Sequence, residues 1–469
     1  MTQNLQKLFD TAVTHAVTYR ESVGDGLARP LESYHQQRDR FAGPTPEAGM
    51  DAEALLAELA DMARPGLMPT IGPRFFAWVM GASHPVGVAA EMLVAAWGQN
   101  AGYQVTSPAS AAIEEAAERW LLDILDLPAE AGIGFSTGAT VANGTCLAAA
   151  RTGTLKKVGW DADADGLFGA PPVHVLIGAD AHSSVYSSLQ LIGFGRKRVI
   201  SIATDEQGCM LPTALESAIA GLSGPKIVIA QAGQINTGAY DPFTEIVAIG
   251  KAHDAWVHVD GAFGLWARAT PARKHLTEGI EGCDSWVTDG HKWLQVPYDS
   301  GFAIVRDRDA LLGAMTQWSS YLPSIAQGDR VPSNYVPELS MRARGVPVYA
   351  VLKALGRQGI ADLVEGHCRM AEQMAARLAA EPGVRVVNVP TINQLIIGFG
   401  AGDAAARKAA TEAVIAKVQA DGVCYVAGAA WRGEWVMRIS ISSGATTPAD
   451  IDLSADAIIA AWRGVQKLG

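Results

Sequence analysis

Four short stretches of this 469-residue chain carry residue types whose order suggests chemistry. In Gly134-Phe135-Ser136-Thr137-Gly138-Ala139-Thr140, small and hydroxyl residues precede an Ala-rich helical run. Glycine lets backbone N–H groups approach an anion, and a helix start adds the positive end of a dipole. Gly138, Ala139 and Thr140 can therefore cradle a phosphate, although an ordinary capped helix start has the same composition. Asp180-Ala181-His182-Ser183-Ser184 follows an apolar run at 173–177. A histidine at a strand's end can stack on a flat ring, while a lone histidine more often serves structure. Asp260 closes the apolar run Trp256-Val257-His258-Val259, which points to the carboxyl edge of a sheet, where α/β proteins bind ligands. A carboxylate there keeps a neighbouring heteroaromatic nitrogen protonated, or it simply caps the next helix. Lys292 stands between His291 and Trp293 after the apolar run 285–288, an unusual setting for a solvated lysine. Partial burial favours the neutral amine, which can form a Schiff base with an aldehyde.

Phosphate cradle, stacking histidine, strand-end aspartate and lysine are together the parts needed to hold pyridoxal phosphate. The first stretch also matches the G-x-S-x-G elbow of serine hydrolases. No HGGG-type oxyanion segment precedes it and no single late histidine stands apart as a base, so that reading is set aside. The five cysteines (Cys146, Cys209, Cys283, Cys368, Cys424) share no C-x-x-C spacing and are odd in number, which favours reduced thiols in a cytoplasm over zinc or disulfides. No metal site is expected. Asn143-Gly144-Thr145 matches a glycosylation sequon, read as chance because the N-terminus lacks the basic and apolar regions of a secretory signal.

The elements that must position these groups are visible as texture. Residues 1–70 read as helices, with Leu5, Leu8, Phe9 and Val13 at helical spacing. From about residue 71, β-branched runs at 173–177, 199–202, 226–230, 256–259, 285–288 and 301–305 alternate with Ala-rich helical stretches. That alternation predicts a mostly parallel sheet covered on both faces. A Ser-, Pro- and Tyr-containing loop at 319–337 leads to a long helical stretch at 346–380. Strands at 384–389, 394–399 and 436–443 then mix with helices at 404–420 and 449–465. The expected organisation is an arm at 1–70, a large α/β domain at 71–318, a connector at 319–345 and a small α+β domain at 346–469. Composition agrees: 49% hydrophobic and 18% charged residues describe globular domains, and a net charge of −11 opposes nucleic acid or an anionic membrane as main partner. No apolar stretch reaches the roughly 18 residues of a membrane span.

Asp180-Ala181-His182-Ser183-Ser184, His258-Val259-Asp260-Gly261-Ala262 and His291-Lys292-Trp293, with Pro73-Arg74-Phe75-Phe76 and Ser107-Pro108-Ala109 before Glu114, resemble the group II pyridoxal-phosphate decarboxylases. The resemblance covers about residues 20–465 and implies the type I aminotransferase-like fold, a seven-stranded sheet between helices with a smaller α+β domain. It implies that Lys292 bears the cofactor, Asp260 faces the pyridine nitrogen and His182 stacks on the ring. It also implies a phosphate turn at Gly138, Ala139 and Thr140. Gln234, Asn236 and Thr237 would lie beside the ring, and His291 near the phosphate. Phe75, Tyr103 and Arg74 would face substrate. The implied reaction is decarboxylation of an L-amino acid to an amine, in an intertwined homodimer whose arm wraps its partner.

Three departures from the family pattern stand out. Asp289 occupies a position where aromatic decarboxylases usually have asparagine near the phosphate, and an extra carboxylate there needs a compensating partner. The proton-donor tyrosine falls to Tyr335, with Tyr321 in reserve; loss of that tyrosine is linked in the family to aldehyde formation. Asn100-Ala101-Gly102-Tyr103-Gln104 is more polar than an aromatic-substrate pocket suggests. A carbon–carbon lyase, aldolase or aldehyde synthase in the same fold is therefore the competing reaction, and an idle cofactor-binding scaffold the competing class.

Overall fold

The computed structural model describes residues 4–316 and 329–467. Its central sheet has the order β1-β7-β6-β5-β4-β2-β3. The strands are β1 (Gly132–Ser136), β2 (His174–Gly178), β3 (Ile200–Ile202), β4 (Lys226–Gln231), β5 (Ala255–Asp260), β6 (Ser285–Asp289) and β7 (Gly301–Val305). Pairs β3–β2–β4–β5–β6 are parallel, whereas β7 runs antiparallel to both β6 and β1. Every residue of β1, β4, β5, β6 and β7 is buried, which is why β4 to β7 read as continuous apolar runs rather than alternating ones. Successive side chains still leave on opposite faces. Val228, Ala230 and Trp286 join a core with Leu121, Trp266 and Trp293, while Ile227, Ile229 and Val287 join another with Ala142, Cys146 and Leu147. The helix Ala139–Lys157 supplies much of that second layer through small residues, so its backbone lies close to the sheet.

The chain forms two compact units. One comprises Val79–Glu372 and Val387–Ile396 and holds the central sheet; the other comprises Met1–Trp78, Gln373–Val386 and Ile397–Gly469. The division thus falls at Trp78 and inside the helical stretch Gly345–Ala379, and groups the first residues with the last. Arg74 explains part of that grouping. Its guanidinium donates to the Val423 carbonyl (2.8 Å), the Gly24 carbonyl (2.9 Å) and Asp450 (3.0 Å). A second sheet has the order β10-β11-β9-β8, with β8 (Val384–Val386), β9 (Gln394–Phe399), β10 (Ala427–Trp431) and β11 (Glu434–Ser440). Sequence reasoning missed β1 and β10. In β10, Ala-Gly-Ala-Ala-Trp carries no β-branched residue, and in β1 two glycines interrupt Ile133 and Phe135, so neither reads as a continuous apolar run.

Candidate active site

Strand direction gathers the chemistry. Because β7 reverses between them, β1 runs the same way as β6, so β1, β2, β4, β5 and β6 all end at one edge. The turn to Ala139, the Asp180–His182 segment, the Gln234–Thr237 loop, Asp260 and the Asp289–Lys292 turn all follow those ends.

Asp260 is buried at the last position of β5 and accepts from the Ala262 N–H at 3.2 Å. Burial pushes its carboxyl up from the usual range, and the charges of His182 and Lys292 pull it back. A protonated ring nitrogen brought here would favour the carboxylate further. His182 is the N-cap of the helix Ser183–Leu191; its Nδ1 accepts from the Ser184 N–H at 3.3 Å and lies 2.7 Å from Ser184 Oγ. In the loop after β4, Gln234 Oε1 accepts from the N–H groups of Asn236 (2.6 Å) and Thr237 (3.0 Å). Its Nε2 donates to the Asp180 carbonyl at 3.2 Å, tying this loop to the His182 segment. Asn236 Oδ1 is buried with no hydrogen-bond partner.

Lys292 projects from a turn that is itself braced. The N–H groups of Gly290 and His291 both donate to the Ser300 carbonyl, at 3.0 and 3.2 Å, and the Val296 N–H donates to the Gly290 carbonyl at 2.9 Å. A Cβ on Gly81 would lie 2.0 Å from the Lys292 carbonyl oxygen, so only glycine permits that approach. Lys292 Nζ is 3.0 Å from Asp289 Oδ2. The other oxygen, Oδ1, accepts from the Ala139 N–H at 2.6 Å. One buried carboxylate therefore joins the lysine to the helix start. His291 stacks on Tyr298 with ring centroids 4.4 Å apart, accepts from the Ser300 N–H through Nδ1 at 3.2 Å, and holds Nε2 3.6 Å from Asp289. Burial pushes the His291 pKa down, and Asp289 opposes that shift.

This donor set fits pyridoxal phosphate. It offers a helix-start N–H already bonded to an anion, a strand-end carboxylate for the ring nitrogen, a lysine amine, and an unpartnered buried amide oxygen. Thr140 opens the same helix, exposed beside Ala139, and its carbonyl accepts from Ser188 Oγ at 2.7 Å.

Two expectations need correction. Tyr335 is not a mobile group: its ring packs beside Gly132, at the start of β1 rather than at its carboxyl end. Arg330 lies over that ring at 4.2 Å, and the hydroxyl accepts from Arg308 at 3.3 Å. Arg330 in turn donates to Glu114 at 2.8 and 3.0 Å and pairs with Glu118, so Tyr335 belongs to a buried ion network. Arg74 is likewise not available to a substrate, because all three guanidinium nitrogens are engaged in the brace described above. Phe75 is buried and stacks on Tyr425 with centroids 5.4 Å apart. Tyr103 lies half-buried in the loop before the helix Pro108–Ile124, its carbonyl accepting from Ser107. Tyr321 lies outside the described residues. Sequence reasoning also overlooked Asn143, Ser285, Gly81 and Gly301 as positioning groups, and used His258 only as part of a motif.

The family model for the pyridoxal-dependent decarboxylase conserved domain matches residues 35–399. An L-2,4-diaminobutyrate decarboxylase of Rhizobium meliloti (strain 1021) is 32% identical over 330 residues, 68% of this chain and 64% of that protein. An aromatic-L-amino-acid decarboxylase of Sus scrofa is 27% identical over 449 residues, 92% of this chain and 90% of its own. In fold, Oryza sativa TDC solved with PLP and tryptamine superposes with a TM-score of 0.92 at 23% identity, covering 99% of this chain and 98% of that one. Rhodiola rosea 4-hydroxyphenylacetaldehyde synthase gives 0.88 at 22% identity, covering 99% of each chain. With a lysine amine, a strand-end carboxylate and a helix start on one sheet edge, the chain belongs to the pyridoxal-dependent decarboxylases, carboxy-lyases that act on amino acids with pyridoxal phosphate as cofactor.

Proposed function

We propose that Lys292 binds the cofactor aldehyde as a Schiff base and that the enzyme removes the α-carboxylate of an L-amino acid, giving an amine and carbon dioxide. The observation that supports this best is the single linkage Lys292–Asp289–Ala139, which sets the amine and the anion-binding N–H on either side of one carboxylate, with Asp260 at the neighbouring strand end. When bound, pyridoxal phosphate supplies an electron sink for the bond to the departing carboxylate. Asp260 would hold a proton on the ring nitrogen and so keep that sink charged. His182 would cover one face of the ring, and Gly138, Ala139 and Thr140 would hold the phosphate, with Asn236 and His291 at its margins. Phe75 and Tyr103 remain the residues proposed to face substrate. The amine of Lys292 must be free to return a proton and release product.

Replacing Lys292 with alanine should abolish carbon dioxide release and the lysine–cofactor adduct trapped by borohydride. An adduct mapped to another lysine would overturn the assignment. A panel of amino acids scored for carbon dioxide and product identifies the substrate. We further propose a cytoplasmic homodimer. Support comes from five unpaired cysteines and an apolar face on the first helix; among the described residues no helix is long and apolar enough to cross a membrane.

A further inference from the structure

At this edge the charge of Asp289 works against the phosphate of the proposed cofactor. It is almost wholly buried, and its Oδ1 takes the Ala139 N–H at 2.6 Å, the short distance of a charge-assisted bond. That N–H opens a 19-residue helix and is the kind of donor that binds phosphate. Its Oδ2 takes Lys292 Nζ at 3.0 Å, the amine that must reach an aldehyde carbon. His291 Nε2 faces the same oxygen at 3.6 Å, with Nδ1 committed as an acceptor from Ser300. Asp260 on the adjacent strand and Tyr298 feel the Asp289 charge as well, and each is made harder to ionise by it. Both ends of the proposed cofactor, phosphate and aldehyde, thus have their protein partners already bound to one carboxylate.

We propose that Asp289 is an internal anion that occupies the phosphate cradle and the lysine together, so that cofactor capture is an exchange in which phosphate displaces carboxylate. The proposal rests on the reading that Gly138–Thr140 seat the phosphate and Lys292 takes the aldehyde. A phosphate monoester carries about −1.5 to −2 charges at neutral pH, so it meets a like charge beside the N–H it needs. An amide at this position would keep the hydrogen bond to Ala139 without the charge. Asp289 therefore sets how tightly this enzyme holds its cofactor, and makes that grip sensitive to the phosphate in particular.

The test uses the full chain freed of cofactor and titrated with pyridoxal phosphate or with pyridoxal, which lacks the phosphate, following protein fluorescence and cofactor absorbance. Asp289→Asn should bind pyridoxal phosphate at least tenfold tighter than wild type, while its gain for pyridoxal, which meets only the freed Lys292, is at least threefold smaller. Equal gains for both ligands would place the effect on Lys292 alone and overturn the exchange. Unchanged or weaker binding of pyridoxal phosphate would overturn it too. Asp289→Ser, which removes the charge with a shorter side chain, carries the same expectations should the asparagine variant not fold. Failure of the underlying reading looks different: wild type would then bind pyridoxal as tightly as pyridoxal phosphate, or the trapped adduct would map away from Lys292.

Discussion

His258 lies two residues before Asp260 and is wholly buried, with both ring nitrogens engaged. Trp256 Nε1 donates to Ser285 Oγ at 2.8 Å, so that hydroxyl has its own proton to give to His258 Nδ1, also at 2.8 Å. Nε2 must then carry the ring proton and donate it to Asn143 Oδ1 at 2.8 Å. A neutral imidazole thereby ties β5, β6 and the helix Ala139–Lys157 to one another. Burial pushes its pKa down to about 3 from an ordinary value of 6.5. The folded state therefore binds this proton less readily than the unfolded state. Its contribution to stability is complete above pH 6.5 and is lost as pH falls toward 3, at ~1.4 kcal/mol per pH unit. Between pH 7 and pH 5, wild type should lose about 2 kcal/mol more stability than His258→Gln, measured by urea unfolding. Equal losses would show that His258 does not titrate differently on unfolding. None of this was legible locally. Asp260 drew notice because it closes an apolar run and Lys292 because it follows one; His258 looks like part of such a run, and its partners come from distant segments.

Elements were more legible than their contacts. The runs read at 226–230, 256–259, 285–288 and 301–305 coincide with β4 to β7 to within a residue at each end, because strands buried on both faces announce themselves by composition. The helical stretch at 346–380 was also legible, but not its interruption at Gly356 (φ 63°), where a glycine inside a helical pattern gives no sure sign of a break. Glycine has its clearest consequence where β7 meets the turn at Gly138. A Cβ on Gly301 would lie 2.4 Å from Gly138 Cα and 2.6 Å from its carbonyl carbon, backbone that has no flexible end to move. Gly301→Ala should therefore displace the turn that presents Ala139. The expected result is at least tenfold weaker binding of pyridoxal phosphate with circular dichroism unchanged. Wild-type affinity in that variant would mean that the turn is not part of the phosphate site.

At the scale of the molecule, the helix Leu5–Ser22 poses the clearest question. None of its residues is buried, yet Leu5, Phe9, Val13 and Val17 recur every fourth position and stand 36–59% exposed. Leu55 and Leu59 on the helix Ala52–Ala63 are exposed as well. A stripe of this kind on an isolated helix is not stable in water without a covering surface, since each aliphatic or aromatic side chain gains ~1.5–3 kcal/mol when fully buried. A second copy of the chain is the simplest cover, because a two-fold axis buries the same patch twice. Wild type should then scatter light as two chains of 49.3 kDa each. Phe9→Asp combined with Val17→Asp puts two carboxylates into the stripe and should shift the protein to a single chain at micromolar concentration. If the active sites are shared, decarboxylation falls in the same concentration range as the dimer dissociates. A wild-type monomer with full activity would break both links of that argument, leaving the exposed stripe to some other partner.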